Sequence, residues 1–463
     1  MSLQGTRVAP EARREHDASV ARLADELRAA RSPRLRKRTS NLFRPRGSGA
    51  RGLDVAGLAR VLSVDPDRRE ADVEGMTTYE DLVRATLPHG LMPLVVPQLK
   101  TITLGGAVAG LGIESSSFRS GMPHESVTEM EVLTAAGDVV LARPDGEHAD
   151  LFRGFPNSYG TLGYALRLTI ELEPVARYVR LRHVRHRDAG EYFDDVARVC
   201  DARERDGRRV DFVDGTAFGP GELYLTLGEF DENANNPSDY TGRHIYYRSI
   251  RQRRGDVLTA HDYLWRWDTD WFWCSRAFGV QRPLVRALVP KRYLRSDTYW
   301  RLLALDRRLG LSKAVDRTRG RRREMVIQDV EIPVDRAAEF LAFFERRVGI
   351  TPVWICPIRQ RDARGWPLYP LDPSTLYVNF GFWSSVFLEP GEPEGARNRE
   401  IEGVVRELGG HKSLYSTSFY PEDEFRELYN GEEYDRLKDR YDPDRRLRSL
   451  YEKCVLSERE VRR

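Results

Sequence analysis

The residues with the clearest chemical potential lie in one glycine- and hydroxyl-rich stretch, residues 98–127, with the sequence QLKTITLGGAVAGLGIESSSFRSGMPHESV. Glycine lets a backbone approach a ligand closely, and successive amide N–H groups form a concave site for an anion. Thr and Ser hydroxyls add hydrogen-bond donors beside those amides. The stretch therefore indicates a loop that binds a phosphate or diphosphate, with a glycine-rich turn in a packed sheet as the alternative.

Two common phosphate-binding motifs do not fit this stretch. A P-loop ends in Gly-Lys-Ser/Thr, which is absent here. A Rossmann fingerprint has glycines spaced GxGxxG, but Gly110 and Gly112 are followed by Ile113, Glu114 and Ser115. The remaining hypothesis is a loop of backbone amides and hydroxyls that holds the phosphate with little fixed positive charge.

The whole chain has an ordinary globular composition. It has 463 residues, of which 40% are hydrophobic and 31% charged, enough for two or three domains. No apolar run approaches the roughly 18 residues of a membrane span, and the Arg- and Glu-rich start does not resemble a signal peptide. Four scattered cysteines form no metal or disulfide pattern. We expect a reduced, cytoplasmic protein.

A basic block and an aromatic segment lie side by side in the second half of the chain. Between Arg276 and Arg323 there are 15 Lys and Arg residues against three Asp, a net charge of +12, so the rest carries about −9. Such a block favours a membrane surface or nucleic acid as partner, and no nucleic-acid-binding module accompanies it. The aromatic residues are interpreted either as a lipid-facing surface or as core; they are Tyr263, Trp265, Trp267, Phe272 and Trp273.

The patterns around these residues predict short strands and helices up to about residue 175. VARLADELRAA has helical spacing, RVLSVDPDRREADVEG and VTEMEVLTAAGDVVLA predict strand pairs, and Thr77 with Glu80 predicts a capping box for the helix that follows. After Tyr178, the segments YLTLGEF, HIYYRSI and LYVNFGFW predict longer strands. MVIQDVEIPVDRAAEFLAFFERRVG predicts a strand and a helix, and the last 60 residues return to helices.

The order of several motifs resembles flavoproteins of the vanillyl-alcohol oxidase (PCMH) type. TLGGAVAGLGIESSSFRSG, DLFRGFPNSYGTLGY, MVIQDVEIPV, PVWICPI and HKSLY most resemble the Δ24-sterol reductase (24-dehydrocholesterol reductase) branch. The resemblance implies an α+β fold in which an FAD-binding domain at residues 36–177 is completed by a helical segment at 401–463. It also implies an N-terminal helical segment at 1–35 and a mixed α/β substrate or cap domain at 178–400, with the basic aromatic segment at 262–323.

The same resemblance implies which residues contact FAD. They are Arg38, Thr39, Ser40, Asn41 and Leu42 in a first diphosphate loop; Pro97, Gln98, Thr101, Thr103, Gly105, Gly106, Gly110, Gly112, Ile113, Glu114 and Ser115 in a second; and Gly160, Thr161, Gly163 and Ile170 beyond it. Many relatives attach the flavin through a His of the first loop or a Cys of the second. Neither loop has such a residue here, so we expect noncovalent FAD.

The reduction implied by this branch needs a proton donor as well as a flavin. An isolated alkene is not electrophilic, so a proton must arrive before or with the hydride. HKSLY supplies three candidate acids, His411, Lys412 and Tyr415, of which the first and last would share a face if the segment is helical. Asp329 in VIQDV is a fourth. Each has a structural alternative, as a solvated or sheet-edge residue, and we favour Tyr415 as the donor.

The motifs also resemble actinobacterial relatives, among them the reductase that converts 10-methylene to 10-methyl fatty acyl chains in tuberculostearic acid synthesis. This implies a phospholipid acyl chain as substrate, NADPH as electron donor, and the methyltransferase of the same pathway as a partner, although no NADPH-binding motif is visible. We expect peripheral attachment to the inner face of the cell membrane. The alternatives are a Δ24-sterol-type reductase, an oxidase of a sugar or alcohol on the same fold, and an inactive scaffold.

Overall fold

Two antiparallel sheets organise the protein, and all strands of the first precede those of the second in the chain. The computed structural model describes residues 9–30, 33–37, 40–44, 52–242, 244–310, 316, 318 and 320–456. Helices and sheets are mixed along the whole of this length, which confirms the α+β class predicted from the sequence.

The first sheet forms from short strands that end before residue 175. The strands of this part are β1 (Leu35–Arg36), β2 (Leu53–Asp54), β3 (Val61–Asp65), β4 (Glu70–Glu74), β5 (Leu91–Pro93), β6 (Val127–Leu133), β7 (Val139–Ala142) and β8 (Tyr164–Pro174). β1 and β2 form a separate parallel pair. The other six form one sheet in the order β3-β4-β8-β6-β7, with β5 paired to the end of β8. Both predicted strand pairs are confirmed.

Within the described residues five helices accompany this sheet: α1 (Pro10–Ala29), α2 (Tyr79–Thr86), α3 (Leu104–Gly110), α4 (Ser117–Ser120) and α5 (Ala149–Gly154). The predicted cap of α2 is wrong by one residue. The hydroxyl of Thr78 accepts from the backbone N–H of Asp81 at 3.2 Å, whereas Thr77 donates to the carbonyl of Arg60. Both threonine hydroxyls bond to backbone groups. Which of the two caps α2 depends on where the chain enters the helix, and the sequence pattern does not specify this within one residue.

The second sheet has longer strands. The strands of this part are β9 (Tyr178–His186), β10 (Glu204–Arg205), β11 (Arg208–Arg209), β12 (Phe212–Gly219), β13 (Glu222–Asp231), β14 (Gly255–Thr259), β15 (Arg322–Pro333), β16 (Val353–Ile358), β17 (Tyr377–Leu388) and β18 (His411–Lys412). β10 and β11 form a small hairpin, and the other eight follow the order β14-β9-β13-β12-β16-β17-β15-β18. The strands predicted from YLTLGEF, MVIQDVEIP and LYVNFGFW are confirmed as β13, β15 and β17.

The described helices beside this sheet are α6 (Ala189–Ala202), α7 (Tyr246–Gln252), α8 (Ala260–Leu264), α9 (Pro283–Leu288), α10 (Ser296–Leu309) and α11 (Ala337–Arg347). One prediction is wrong here, because HIYYRSI forms α7 and not a strand. Its aromatic and β-branched residues favour a strand locally. Its buried residues Tyr246, Tyr247 and Ile250 have helical spacing, and burial against the core decides the outcome.

The last part of the chain is helical and packs on the first sheet's helices. Its described helices are α12 (Ala396–Glu407), α13 (Glu422–Leu428), α14 (Gly431–Tyr441) and α15 (Leu450–Cys454). The Tyr441 hydroxyl donates to Asp150 on α5 at 2.7 Å, and Lys438 Nζ donates to the Thr161 carbonyl at 3.1 Å. Short 3-10 turns lie at Leu87–His89, Pro123–Ser126, Asp268–Asp270, Cys274–Phe278, Lys291–Tyr293 and Val334–Arg336.

Candidate active site

A cavity of about 1010 Å³ lies where the glycine-rich stretch, the second sheet and the C-terminal helices meet. Small-molecule sites usually measure about 300–1,000 Å³, so this cavity has room for a large organic ligand. One wall is formed by residues 97–113. The opposite end is aromatic, and a third side comes from α15.

Most of the predicted cofactor contacts lie on the cavity wall. They are Ser40, Asn41, Leu42, Pro97, Gln98, Thr101, Thr103, Gly105, Gly106, Gly110, Gly112, Ile113, Gly160 and Gly163. Arg38 and Thr39 lie outside the described residues. Lys37 Nζ donates to the Thr103 hydroxyl at 3.2 Å, so the segment before the first loop meets the second loop at this wall. Residues distant in sequence are therefore brought together around one space.

Four predicted contacts do not line the cavity: Glu114, Ser115, Thr161 and Ile170. Glu114 lies 3.1 Å from the guanidinium of Arg266, which also pairs with Asp214 on β12 at 2.8 Å. Burial raises the pKa of Glu114, and the charge of Arg266 opposes the rise. The carboxylate therefore joins the glycine-rich stretch to the second sheet, and its contact with a cofactor stays a prediction.

The side chains of the other three residues are used in packing, and their contacts with a cofactor stay predictions. The Ser115 hydroxyl hydrogen-bonds that of Tyr263 at 2.7 Å. The Thr161 hydroxyl donates to the carbonyl of Ser158 at 2.8 Å. Ile170 is fully buried in the hydrophobic core that includes the first sheet.

The glycines of the wall are required by close packing of the chain on itself. A Cβ on Gly105 would lie 2.7 Å from the carbonyl oxygen of Gly75, which follows β4. A Cβ on Gly110 would lie 3.2 Å from the ring of Tyr159. The wall is therefore both a glycine-rich turn packed on a sheet and a lining of the cavity. The two interpretations of the sequence, a ligand-binding loop and a packed turn, are compatible.

Unusual backbone conformations cluster on the cavity wall. Four non-glycine residues that line it have positive φ: Leu111 (101°), Tyr159 (50°), Trp271 (46°) and Phe272 (59°). Each such residue costs on the order of 1–3 kcal/mol, and this strain concentrates at functional sites. Two consecutive aromatic residues in the left-handed region place both rings at the same end of the cavity.

The aromatic end of the cavity is assembled from separate segments. Phe272 stacks on Trp383 of β17 with ring centroids 4.3 Å apart and meets Trp354 of β16 edge-on at 5.5 Å. Trp271 and Tyr415 complete the apolar wall. The rings exclude water from this end and leave a slot suited to a flat or extended apolar group.

The aromatic segment does not form a lipid-facing surface, because the aromatic side chains that suggested one are not exposed. Tyr263, Trp265, Trp267, Phe272 and Trp273 are all buried. Trp267 packs edge-on against Tyr246 of α7 and stacks on Phe272. The segment is therefore core, because its rings find partners in the second sheet and in α7, and only Phe272 of this set reaches the cavity.

A carboxyl and a phenol lie side by side at the aromatic end. Tyr415 lies close enough to Asp329 to lower the pKa of its carboxyl, and the indole N–H of Trp383 donates to the Tyr415 hydroxyl at 2.9 Å. Asn379 donates to the same carboxyl at 3.0 Å. Burial raises the pKa of Asp329 to about 6, although Asn379 and Tyr415 oppose the rise. A carboxyl that holds its proton part of the time near neutral pH therefore borders the cavity.

Two predicted acids, His411 and Lys412, do not line the cavity. The segment is the short strand β18 and not a helix, so its successive side chains point to opposite faces. Burial lowers the pKa of His411 to about 4, which keeps the imidazole neutral. Lys412 is fully buried and donates to Glu402 at 2.5 Å. The structure therefore places His411 and Lys412 away from the cavity and Tyr415 and Asp329 on it, and the catalytic role of each residue stays a prediction.

Comparison with known proteins relates the segment that contains the cavity wall to a known family. Residues 13–143 match the family described as FAD binding domain. This range contains most of α1, all of α3 and the wall at residues 97–113. The chain contains an FAD-binding domain.

Proteins similar to this one over most of its length are sterol reductases. The Delta(24)-sterol reductase of Mus musculus is 26% identical over 403 residues, 83% of this chain and 74% of that protein. The one from Arabidopsis thaliana is 25% identical and covers 89% of this chain and 78% of its own. A decaprenylphosphoryl-beta-D-ribose oxidase of Mycolicibacterium smegmatis is 37% identical, but over only 26% of each chain.

The residues beside the FAD-binding domain fit an anionic cofactor. Arg44 and Lys453 both line the cavity, and within the described part of the chain neither has a carboxylate partner. Arg44 is buried, and its Nε and Nη2 have no hydrogen-bond partner; the same holds for Oδ1 of Asn41. Burial and the charge of Arg44 lower the pKa of Lys453 to about 7. A buried guanidinium and a half-buried ammonium, neither with a carboxylate partner among the described residues, favour an anionic ligand. The resemblance places Arg44 at the end of the first diphosphate loop, whereas no sequence pattern marks Lys453, because isolated basic residues are common in this chain.

Proposed function

We propose that this protein is an FAD-dependent reductase of an isolated carbon–carbon double bond in a lipid. The FAD-binding domain and the likeness to proteins named Delta(24)-sterol reductase support this reaction class. The observation with the most weight is the Asp329–Tyr415 pair, an acid at the dry, aromatic end of the cavity. An alkene bound at this end would lie beside a proton donor, the group that its reduction requires from the protein.

The residues have distinct roles in this proposal. Asp329 donates a proton to the less substituted alkene carbon, and the hydrogen bond that Asn379 donates to its carboxyl fixes the direction of that group, with the Tyr415 hydroxyl beside it. Reduced FAD, when bound, supplies the hydride that completes the saturated product. The rings of Trp271, Phe272 and Trp383 exclude water, so the proton is not lost to solvent and developing positive charge is met by aromatic faces.

FAD would be held without a covalent bond. Thr103, Lys37 and the backbone of the glycine-rich wall suit its diphosphate, while Arg44 and Lys453 offer positive charge at the C-terminal side. No His or Cys is among the described residues that line the cavity, which supports the noncovalent interpretation. Acid or heat should release intact FAD from purified protein, and flavin that remains on the denatured chain would contradict this.

Within this class we propose the 10-methylene acyl chain of a phospholipid as substrate, with NADPH as electron donor. The basis is the resemblance of the motifs to the actinobacterial relatives. A 1,1-disubstituted alkene protonated at its CH2 carbon gives a tertiary cation, so the acid at Asp329 would suffice. The methyltransferase that makes the methylene chain would then be the preceding enzyme and a candidate partner.

The test is direct reduction by the purified protein. FAD-loaded protein, NADPH and a 10-methylene phospholipid should yield a 10-methyl chain two mass units heavier. In deuterated water one deuterium should appear on the former CH2 carbon. Cells that lack the protein should accumulate 10-methylene chains. If the purified protein reduces a Δ24-sterol and leaves the methylene lipid unchanged, the substrate assignment is wrong and the reaction class stands.

The second candidate is an oxidase of a sugar or alcohol. The partial likeness to the ribose oxidase supports it, although that match covers only a quarter of the chain. An oxidase should release peroxide quickly when its reduced flavin meets oxygen, and should leave alkenes unchanged. Peroxide production on a sugar substrate, without alkene reduction under anaerobic conditions, would favour this candidate over the first. Reduction of a methylene lipid by the purified protein, without any partner, would also exclude the alternative of an inactive scaffold.

A further inference from the structure

Two helices at the edge of the cavity expose an apolar stripe to solvent. Leu284 and Leu288 on α9 are 82% and 83% exposed, and on α10 Leu302, Leu305 and Leu309 are also exposed. The spacing of each set places it on one face of its helix. Burying a leucine stabilises by about 1.5–3 kcal/mol, so this much exposed leucine is unfavourable in water.

The opposite faces of both helices are anchored in the protein. Arg286 on α9 is buried and pairs with Asp270 at 2.7 Å. On α10, the Tyr299 hydroxyl donates to the carbonyl of Thr269 at 3.0 Å, and Ser296 bonds Asp268. The leucines therefore face solvent on helices whose opposite faces are bonded to the turn at Asp268–Asp270.

Exposed cations surround the stripe. Arg282, directly before α9, and Arg292, between the two helices, are exposed and have no ion pair among the described residues. Arg301 on α10 is also exposed and pairs with Asp297 at 3.3 Å. Part of the charge of the basic block is neutralised, since Arg295 pairs with Glu80 and Lys291 with Asp239. The remaining arrangement, leucines in the centre and cations at the edge, is typical of segments that lie in a membrane interface.

The stripe also adjoins the cavity. Trp300 on α10 packs against Trp271 with ring centroids 5.6 Å apart and against Phe43 at 4.8 Å, and both partners line the cavity. We propose that α9 and α10 form a docking surface for a bilayer that contains anionic lipids, with the leucines in the acyl region and the cations at the headgroups. The surface lies in the interface and does not span it, since no described helix is long and apolar enough to cross a membrane.

This surface replaces the buried aromatic segment as the point of membrane contact, and it does not depend on which reaction the protein catalyses. Anionic lipid is favoured over a protein partner because the cations surround the leucines on both helices. A second copy of the chain, or another protein, remains an outcome that the experiment separates.

The test is vesicle co-sedimentation of the FAD-loaded protein, with phosphatidylcholine vesicles that contain or lack phosphatidylglycerol. Wild type should bind the anionic vesicles, more weakly as salt is raised. The double variant Leu284→Gln/Leu288→Gln should bind about 10- to 100-fold more weakly, because each leucine contributes roughly tenfold. Leu141→Gln on β7, another exposed leucine, is the matched control and should bind as wild type does.

Two outcomes would overturn the proposal. Equal binding by wild type and the double variant would show that the leucines do not contact lipid. Failure of wild type to bind any vesicle, with a dimer in solution that the double variant converts to monomer, would identify the stripe as a contact between two copies. The flavin spectrum of each variant shows that it is folded, and neither outcome bears on the reaction proposed above.

Discussion

The two ends of the cavity are built differently. The wall at residues 97–113 is one continuous stretch of chain that lines the cavity, and its glycines pack closely against neighbouring backbone and side chains. The aromatic end is assembled from side chains of separate segments: Trp271, Asp329, Trp354, Trp383 and Tyr415. The continuous wall suits a cofactor of fixed shape, whereas the assembled end can be changed one side chain at a time. Substitutions at the two ends should therefore affect different quantities, FAD content at one and alkene reduction at the other.

The largest effect is expected at the assembled end, for Asp329→Asn. Removal of the acid should slow alkene reduction by about 10²–10⁴ while FAD content stays normal. Because the acid form is needed and its pKa is raised to about 6, the wild-type rate should fall about tenfold per pH unit above pH 6. The measurement is single-turnover reduction of the alkene lipid as a function of pH.

Tyr415→Phe separates the acid from its partner. It should slow the reaction less than Asp329→Asn and keep a pH dependence, because the carboxyl remains. Full activity in Asp329→Asn, together with a large loss in Tyr415→Phe, would reverse the two roles. Slow reduction of the flavin by NADPH in either variant would indicate damaged structure. The flavin absorption spectrum of the variant would show whether FAD is still bound.

At the continuous wall, Gly105→Val should empty the site. The new side chain would meet the Gly75 carbonyl at 2.7 Å, and overpacking of this kind costs about 1–3 kcal/mol. FAD content and melting temperature should both fall. Gly403→Ala on α12 is the control, because no atom lies within 4 Å of its added Cβ and alanine favours a helix. Normal FAD content in Gly105→Val would show that the wall tolerates backbone displacement.

A smaller effect is expected for Lys453→Met, which should weaken FAD binding by roughly tenfold, the usual effect of about 1.4 kcal/mol. The pKa of Lys453 is lowered to about 7, so the ammonium is charged below pH 7 and neutral above it. FAD affinity of the wild type should therefore weaken as pH rises through about 7, and the variant should lose that dependence. Titration of the apoprotein with FAD measures both, with Lys291→Met, an exposed lysine, as the comparison.

The smallest effect is expected for His411→Gln. The imidazole does not reach the cavity and is neutral near pH 7, so alkene reduction should stay within about twofold of wild type. A loss as large as that of Asp329→Asn would restore His411 as a catalytic candidate and contradict the division between wall and assembled end.

The same division explains what the sequence could predict. The glycine-rich wall is contiguous, so its motif indicates a cofactor loop, and most of the residues that the resemblance assigns to FAD line the cavity. Asp329 was recognised as a candidate, but its position beside Trp383 depends on the pairing of β15 with β17. His411 and Lys412 were chosen because they are close to Tyr415 in sequence, yet on a strand neighbouring residues face opposite sides.

The missed residues share a physical reason. Lys453 lies in a segment rich in charge, and only the folded structure shows that it and Arg44 lack carboxylate partners among the described residues. The left-handed conformations of Trp271 and Phe272 are rare for aromatic residues, so no local pattern predicts them. Burial of the aromatic segment was left open because the same amphipathic rings suit a core and a membrane surface equally well.

The strained pair Trp271–Phe272 has a consequence for protein engineering. Asparagine or glycine enters the left-handed region with little strain, so either would relieve about 1 kcal/mol or more at position 271. The same change removes a ring from the cavity wall. Loss of the buried Trp271 ring would cost about 3–5 kcal/mol, which exceeds the strain relieved, so selection for heat resistance and selection for turnover would both retain this pair.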